Sequence, residues 1–322
     1  MNDIKFINPY TGALLQWKDN NLVDSEGKFI RHENGVYKFT KDDDNYTSNF
    51  GFQWNKFEKT QIDGQVNSNQ SKNRFFAATG WDKEDLTDKN ILEVGSGAGR
   101  FSNIVLNYTK ANLYTLDYSS AVEANYRQNG HNEKVKIMQA SIYEIPFAPA
   151  QFDKVFCFGV LQHTPDFKKS VKSLVEMVKP GGELVIDFYP IKGWWTKINA
   201  KYIFRPITKR IKKETLLRMI VANVGWMMGL YRFFATIGIG KLVNRFIPIC
   251  DIDNTIPSGL TKQELRDWVI LDTFDMFSPE YDNPQQLKTV KKWAEEFGLK
   301  NVKAEMISYD KDQWVSVVKG VR

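Results

Sequence analysis

Leu92-Glu93-Val94-Gly95-Ser96-Gly97-Ala98-Gly99-Arg100 is the stretch on which the fold turns. Ile91-Leu92-Glu93-Val94 is a short, largely apolar run that reads as a strand, and Phe101, Ile104 and Val105 beyond it open a helix. Between them the glycines permit a tight turn and let backbone amides approach a ligand at the helix N-terminus. Their spacing is G-x-G-x-G with Arg100 in sixth place, where a dinucleotide fingerprint wants a small residue for close helix packing. Asp117 ends the next strand, where a carboxylate can accept both hydroxyls of a ribose; the alternative is a plain strand–helix turn with a surface aspartate.

Outward from this turn the pattern is regular. Strands are read at 91–94, 113–117, 135–138 and 154–160, and Pro180-Gly181-Gly182 turns the chain into a fifth, Glu183 to Phe188. Helices near 101–105 and 120–128, and one carrying Val171, Leu174, Val175 and Val178, alternate with them. Such alternation predicts an α/β fold with a parallel sheet covered on both faces. The pattern breaks after Pro190 and resumes with a helix over 287–297 and strands at 302–308 and 314–318. The expected organisation is an N-terminal extension (1–70) of short strands and an aromatic cap, a core (71–190 and 286–322), and a basic, apolar helical insertion (191–285) acting as a lid before the last helix.

The chain has 322 residues, 42% hydrophobic and 25% charged, in the range of an ordinary globular protein. Two cysteines, Cys157 and Cys250, exclude a disulfide framework or a four-thiolate zinc site and favour a reducing cytoplasmic compartment. Met1 to Phe6 lacks a basic stretch followed by an apolar block, so no secretion signal is expected. The longest uncharged apolar tract, between Arg218 and Arg232, is 13 residues, too short to span a bilayer. The net charge of +6 is unevenly spread: Ile191 to Arg245 holds twelve basic residues against Glu214 alone, a net of +11.

Four blocks in order resemble the class I S-adenosylmethionine-dependent methyltransferases of the broad type 11 group. They are the Glu93–Gly99 loop, Asp117-Tyr118-Ser119, Ala140-Ser141-Ile142 with Ile145-Pro146-Phe147, and Phe152-Asp153 through Gly159-Val160-Leu161-Gln162-His163 to Pro180-Gly181-Gly182. The resemblance covers about 75–190 and resumes near 287. It implies a seven-stranded Rossmann-like sheet with an antiparallel last strand, and S-adenosylmethionine across the carboxyl ends of the first, second and fourth strands. It assigns Gly95 and Gly97 to the methionine and ribose parts, Asp117 to the ribose hydroxyls, and Tyr118 and Ile142 to the adenine faces; Ser96, Gly99, Ser119, Ala140, Gly159 and Gln162 are further cofactor-binding candidates. Glu93 would orient the loop and the ammonium. Ser141 stands where the family usually has an aspartate, which leaves a weaker contact to the adenine amino group. Arg74 either pairs with the cofactor carboxylate or is a solvated helix arginine. Phe50-Gly51-Phe52-Gln53-Trp54 with Thr60-Gln61 resembles a narrower subgroup found in bacterial polysaccharide and secondary-metabolite gene sets. Relatives there often begin with a cysteine-bearing ribbon, which Asn8-Pro9-Tyr10-Thr11-Gly12 lacks, so no metal is expected. Phe52 and Trp54 either close over the sulfonium or staple the N-terminal segment to the core.

The resemblance implies methyl transfer, which needs alignment and exclusion of water, and a hydroxyl acceptor benefits from a base. His163, at the carboxyl end of the fourth strand, is the candidate base with Asp166 as its orienter; the alternative is a pocket-wall or helix-capping histidine. Trp54, Trp194, Asp275, Tyr281 and Asp282 are the candidate acceptor contacts, the last three on a stretch from Leu271 to Asp282 read as a loop returning over the site. The expected function is O-methylation of a carbohydrate or related small metabolite. The alternatives are N- or C-methylation, or a non-catalytic cofactor-binding partner protein. The +11 segment is a plain solvated lid, a surface for an anionic membrane through 191–245, or a binder of an acidic, nucleotide- or lipid-linked acceptor. No RNA-binding motif accompanies it, so nucleic acid ranks low. The expected location is cytoplasmic, with the inner membrane surface as an option.

Overall fold

The computed structural model describes residues 4–19, 21–41, 45–191 and 193–322; Met1 to Asp3 of the N-terminal reading and Lys192 of the basic segment lie outside them. The N-terminal extension carries β1 (Gln16–Lys18), β2 (Asn21–Val23), β3 (Arg31–Glu33), β4 (Val36–Lys38) and α1 (Ser48–Lys56), followed by α2 (Gln70–Thr79). The core runs β5 (Asn90–Val94), α3 (Arg100–Tyr108), β6 (Asn112–Asp117), α4 (Val122–Asn129), β7 (Val135–Gln139), β8 (Phe152–Phe158), α5 (Phe167–Met177) and β9 (Val178–Phe188). Then come α6 (Ala200–Thr208), α7 (Lys213–Thr236), α8 (Gly240–Asn244), α9 (Ile252–Thr255) and α10 (Lys262–Phe277). The chain closes with α11 (Leu287–Glu296), β10 (Lys300–Asp310) and β11 (Gln313–Val321).

One sheet organises the molecule, in the order β10-β11-β9-β8-β5-β6-β7-β4-β3. β5, β6, β7, β8 and β9 pair in parallel, and β11 runs antiparallel to both β9 and β10. Those seven strands have the expected layout, but the sheet has nine. β4 adds in parallel to the edge of β7 through Tyr37 opposite Met138, and β3 continues it as a hairpin. Val36 and Tyr37 are buried there, so the extension covers an edge that would otherwise expose unpaired backbone groups.

Strand order reverses beside β5, between chain-consecutive β5–β6–β7 on one side and β8–β9 on the other. That switch point opens a crevice at the carboxyl ends of the strands, where α/β sheets bind ligands. Apolar clusters fill both faces of the sheet, one around Leu92, Tyr114, Phe147 and Val155, the other around Phe75, Ile91, Ile104 and Phe156. A third lies within the insertion around Val224, Trp268 and Phe274, and Phe52 and Phe57 from the extension pack against it. Extension and insertion therefore share a core above the crevice.

One stretch left without an element gains one, and one reading is corrected. The aromatic segment from Phe50 to Trp54 is a helix, α1, which places Phe50, Gln53 and Trp54 one turn apart at the cavity while Phe52 points away. Leu271 to Phe277 is not a loop but the last two turns of α10, whose N-terminus Thr261 and Glu264 close with a capping box.

Candidate active site

The turn after β5 is pinned before any ligand arrives. The amides of Gly95 and Ser96 both donate to the Leu116 carbonyl of β6, at 2.7 and 3.1 Å, and the amide of Gly97 donates to Asp117 Oδ2 at 2.9 Å. Gly95 and Gly99 sit at φ of 86° and 85°; a Cβ on the first would overlap Val160, and on the second the side chains of Asn125 and Asn129. Arg100, the departure from the dinucleotide pattern, reaches back to Ser71, Gln61 and Gln70 at 2.8–2.9 Å. It ties the extension and α2 to the turn, and burial followed by the nearby Arg74 guanidinium lowers its pKa to about 10.

Around this turn lies a cavity of about 530 Å³, within the size range of small-molecule sites. Of the expected cofactor residues, Arg74, Gly95, Ser96, Gly97, Asp117, Tyr118, Ala140, Ile142 and Gly159 line it. Asp117 is half-buried, and desolvation raises its pKa against the hydrogen bonds to its carboxylate; Oδ1 accepts from the Ser119 amide and hydroxyl. Ser119 and Gly99 thus act beneath the lining, as does Glu93. The Glu93 carboxylate accepts from Ser102 and, at 2.8 Å, from Thr115, and burial pushes its pKa to about 7. It ties β5 to α3 and β6. Ser141 and Gln162 are buried outside the lining: the Ser141 hydroxyl accepts from the Tyr143 amide within its own turn, and the Gln162 carbonyl accepts from the Asn283 amide.

Arg74 is not solvated. Its Nε and Nη2 both donate to Asp187 Oδ2, at 3.0 and 2.7 Å, and Asp187 Oδ1 accepts from the Gly159 amide. The sequence reading passed over Asp187, although an acid near the end of an apolar strand, Leu184-Val185-Ile186-Asp187-Phe188, was a signal. This fully buried carboxylate joins α2, β8 and β9 at the cavity wall.

His163 also lines the cavity, buried, with Nδ1 3.1 Å from the Tyr281 carbonyl and Nε2 without a partner. A carbonyl can only accept, so Nδ1 carries the proton and Nε2 presents its lone pair. Burial lowers the His163 pKa below 6.5, and Asp275 and Asp282 oppose that shift. Asp166 does not orient this ring: its side chain caps α5 by accepting from the Lys169 amide at 2.9 Å. The Tyr281 carbonyl takes the orienting role.

Among the expected acceptor contacts, Trp54 and Asp275 line the cavity, and Tyr189 donates to Asp275 at 3.3 Å. Asp282 instead pairs with Lys201 at 2.9 Å, both largely buried, which fastens α6 to the segment after α10. The Tyr281 ring packs against Tyr46. Trp194 is 82% exposed and lies outside the lining. Phe52 packs on Phe274, so Phe50, 5.0 Å from the His163 ring, is the aromatic beside Trp54 at the cavity. Gln53, also missed, is buried in the lining with neither amide atom partnered; a polar residue between aromatics of a helical segment was its signal. Ser96 Oγ is likewise buried and unpartnered. Among the described residues no group of three or more His, Cys, Asp or Glu side chains is placed to hold a metal.

Residues 92–186 match the family described as the methyltransferase domain. This segment is a methyltransferase domain. The match spans β5 to β9 and so includes the glycine turn, Asp117 and His163. The domain's relatives are diverse. The tRNA U34 carboxymethyltransferase of Nautilia profundicola is 29% identical over 111 residues, 34% of this chain and 37% of that protein. A ubiquinone biosynthesis O-methyltransferase of Coxiella burnetii is 28% identical over 129 residues, 38% of this chain and 55% of that one. The chain thus spans between about a third and just over half of the length of these curated relatives. Magnesium protoporphyrin IX methyltransferase from Synechocystis PCC 6803 with bound SAH is similar at 15% identity and a TM-score of 0.47, over 86% of this chain and 96% of that one. S-adenosylmethionine is the cofactor of the domain's family, and the cavity is lined by the glycine turn, the Asp117 carboxylate and the buried, unpartnered polar groups of Ser96 and Gln53.

Proposed function

We propose that this protein is an S-adenosylmethionine-dependent methyltransferase that methylates a hydroxyl group of a carbohydrate or related small metabolite. The observation that carries the reading is the presence, in the lining of one cavity, of the glycine turn, Asp117 and a His163 whose Nδ1 is held by a carbonyl and whose Nε2 is unpartnered. When bound, the cofactor supplies an activated methyl group on a sulfonium with a neutral leaving group. The chain's residues do the rest. Gly95 to Gly97 and Asp117 would hold the nucleoside and amino-acid parts, Tyr118 and Ile142 would flank the base, and Phe50 and Trp54 of α1, which also line the cavity, would help to keep water from the reacting atoms. His163 Nε2 takes the acceptor's proton as its oxygen attacks, while the Tyr281 carbonyl holds the ring in the competent tautomer. Asp275 and Tyr189, with Asn199 and Asn254 from the insertion, give the acceptor end a polar wall suited to several hydroxyls rather than to an apolar ring.

The test is transfer of a deuterated methyl group from S-adenosylmethionine to a panel of carbohydrate-bearing metabolites, read by mass and by the position of the label. The expected product carries the label as an ether. Label confined to an amine nitrogen or to carbon would overturn the hydroxyl assignment.

A further inference from the structure

We propose that the insertion seats the protein on an anionic lipid surface. The observation is a second apolar stripe on α7. Leu216, Leu217, Ile220, Val224, Met227, Met228 and Tyr231 recur at helical spacing and are buried in the insertion's own core. On the opposite side Met219, Trp226, Leu230, Phe233 and Ile237 recur at spacings of seven, four, three and four, and they are exposed: Trp226 56%, Phe233 62%, Ile237 58%. A helix apolar on both sides with one side uncovered lacks a partner for that side.

The exposed surface does not end with the helix. Ile239 at the start of α8 and Leu242 within it are exposed, and Phe246 follows. The Arg245 carbonyl accepts from the Ala200 amide and its guanidinium donates to the Ile198 carbonyl, so the start of α6 adjoins α8. From there α6 adds Ile203, Phe204 and Ile207 to the exposed apolar groups. Lys241, Asn244 and Arg245 of this region also line the cavity. The apolar surface therefore borders the acceptor end of the site.

Charge selects the occupant. Lys201 and Arg205 are consumed inside the fold, by Asp282 and by the carbonyls of Met276 and Pro279. Arg210, Lys212, Arg218 and Arg232, on α7 or in the turn before it, instead remain exposed, with Glu214 the one acid between Ile191 and Arg245. Large apolar groups accompanied by cations match the interface of a bilayer with acidic headgroups. A second copy would bring the same positive charge against it. No described helix is long and apolar enough to cross a membrane, so the contact lies along the surface.

Flotation of the purified full chain with vesicles tests this, comparing pure phosphatidylcholine with vesicles in which about a third of the lipid is phosphatidylglycerol. The expected result is flotation with the acidic vesicles, weakened by high salt. The triple change Trp226→Ser, Phe233→Ser, Ile237→Ser should lower partitioning at least tenfold, and Arg210→Gln with Arg218→Gln and Arg232→Gln should lower it while removing most salt sensitivity. A control change at exposed Phe29→Ser should leave it alone, and unchanged melting temperatures show that the variants fold. Absence of flotation, or equal flotation with both vesicles, overturns the proposal. So does a concentration-dependent dimer, without lipid, that the serine variant abolishes. None of these readouts requires methyl transfer, so failure of the assigned reaction leaves the result intact.

Discussion

At the scale of single residues, His163 bears the sharpest consequence. Its pKa lies below 6.5 because burial disfavours the imidazolium, so the base form is present throughout the neutral range. The kcat/KM profile should rise along one limb below pH 6.5 and stay level to about pH 9. His163→Ala and His163→Gln should each cost about 100-fold or more in turnover with cofactor affinity retained; variants with near-full activity across that range would remove the base role. Glu93 runs the opposite way. Its folded pKa of about 7 exceeds the ordinary 4.5, so the folded chain keeps a proton that the unfolded chain releases. Its stabilising effect is full below pH 4.5 and is lost as pH rises through 7. Glu93→Gln should flatten the fall of melting temperature between pH 5 and 8, and parallel wild-type and variant curves would contradict this origin. Gln53→Leu should weaken cofactor or acceptor binding by about tenfold, while the removal of an unpartnered buried amide spares the fold. Asp117 was readable from its place at a strand end. The Tyr281 carbonyl was not, because a backbone atom 118 residues from His163 leaves no trace in residue type.

Between elements, the glycine turn and the β–α alternation were legible because each is a local pattern with a fixed period. The added strands β3 and β4 were harder: each is three residues long, and only the open edge of β7 gives them a place. α10 was partly hidden because apolar residues cover much of its circumference, Trp268 to Leu271 being buried in succession, so no helical stripe separated its last turns from a loop. Arg74 and Asp187 show what element contacts add. Arg74→Ala would strand a fully buried carboxylate between α2, β8 and β9 and should destabilise the protein by about 3–5 kcal/mol in denaturant unfolding. A loss under about 1 kcal/mol would mean that the pair carries little of the wall's cohesion.

For the molecule as a whole, extension, core and insertion meet at one cavity, so ligand and fold are linked. Gln61 and Gln70 join Arg100 at the turn, Gln61 also donates to Asp272 of α10, and Lys201–Asp282 fastens α6 to the segment after α10. A ligand held by all three parts should raise the melting temperature, with about 2.7 kcal/mol of added stability at a hundredfold excess over its Kd. The measurement that bears most directly on this account is titration calorimetry of the full chain with S-adenosylhomocysteine, wild type beside Asp117→Ala. The account expects one site per chain in the wild type and binding weaker by about 10- to 100-fold in the variant, since a charged carboxylate's hydrogen bonds are lost. A wild type that takes up no nucleoside, or a variant that binds as tightly, would contradict it.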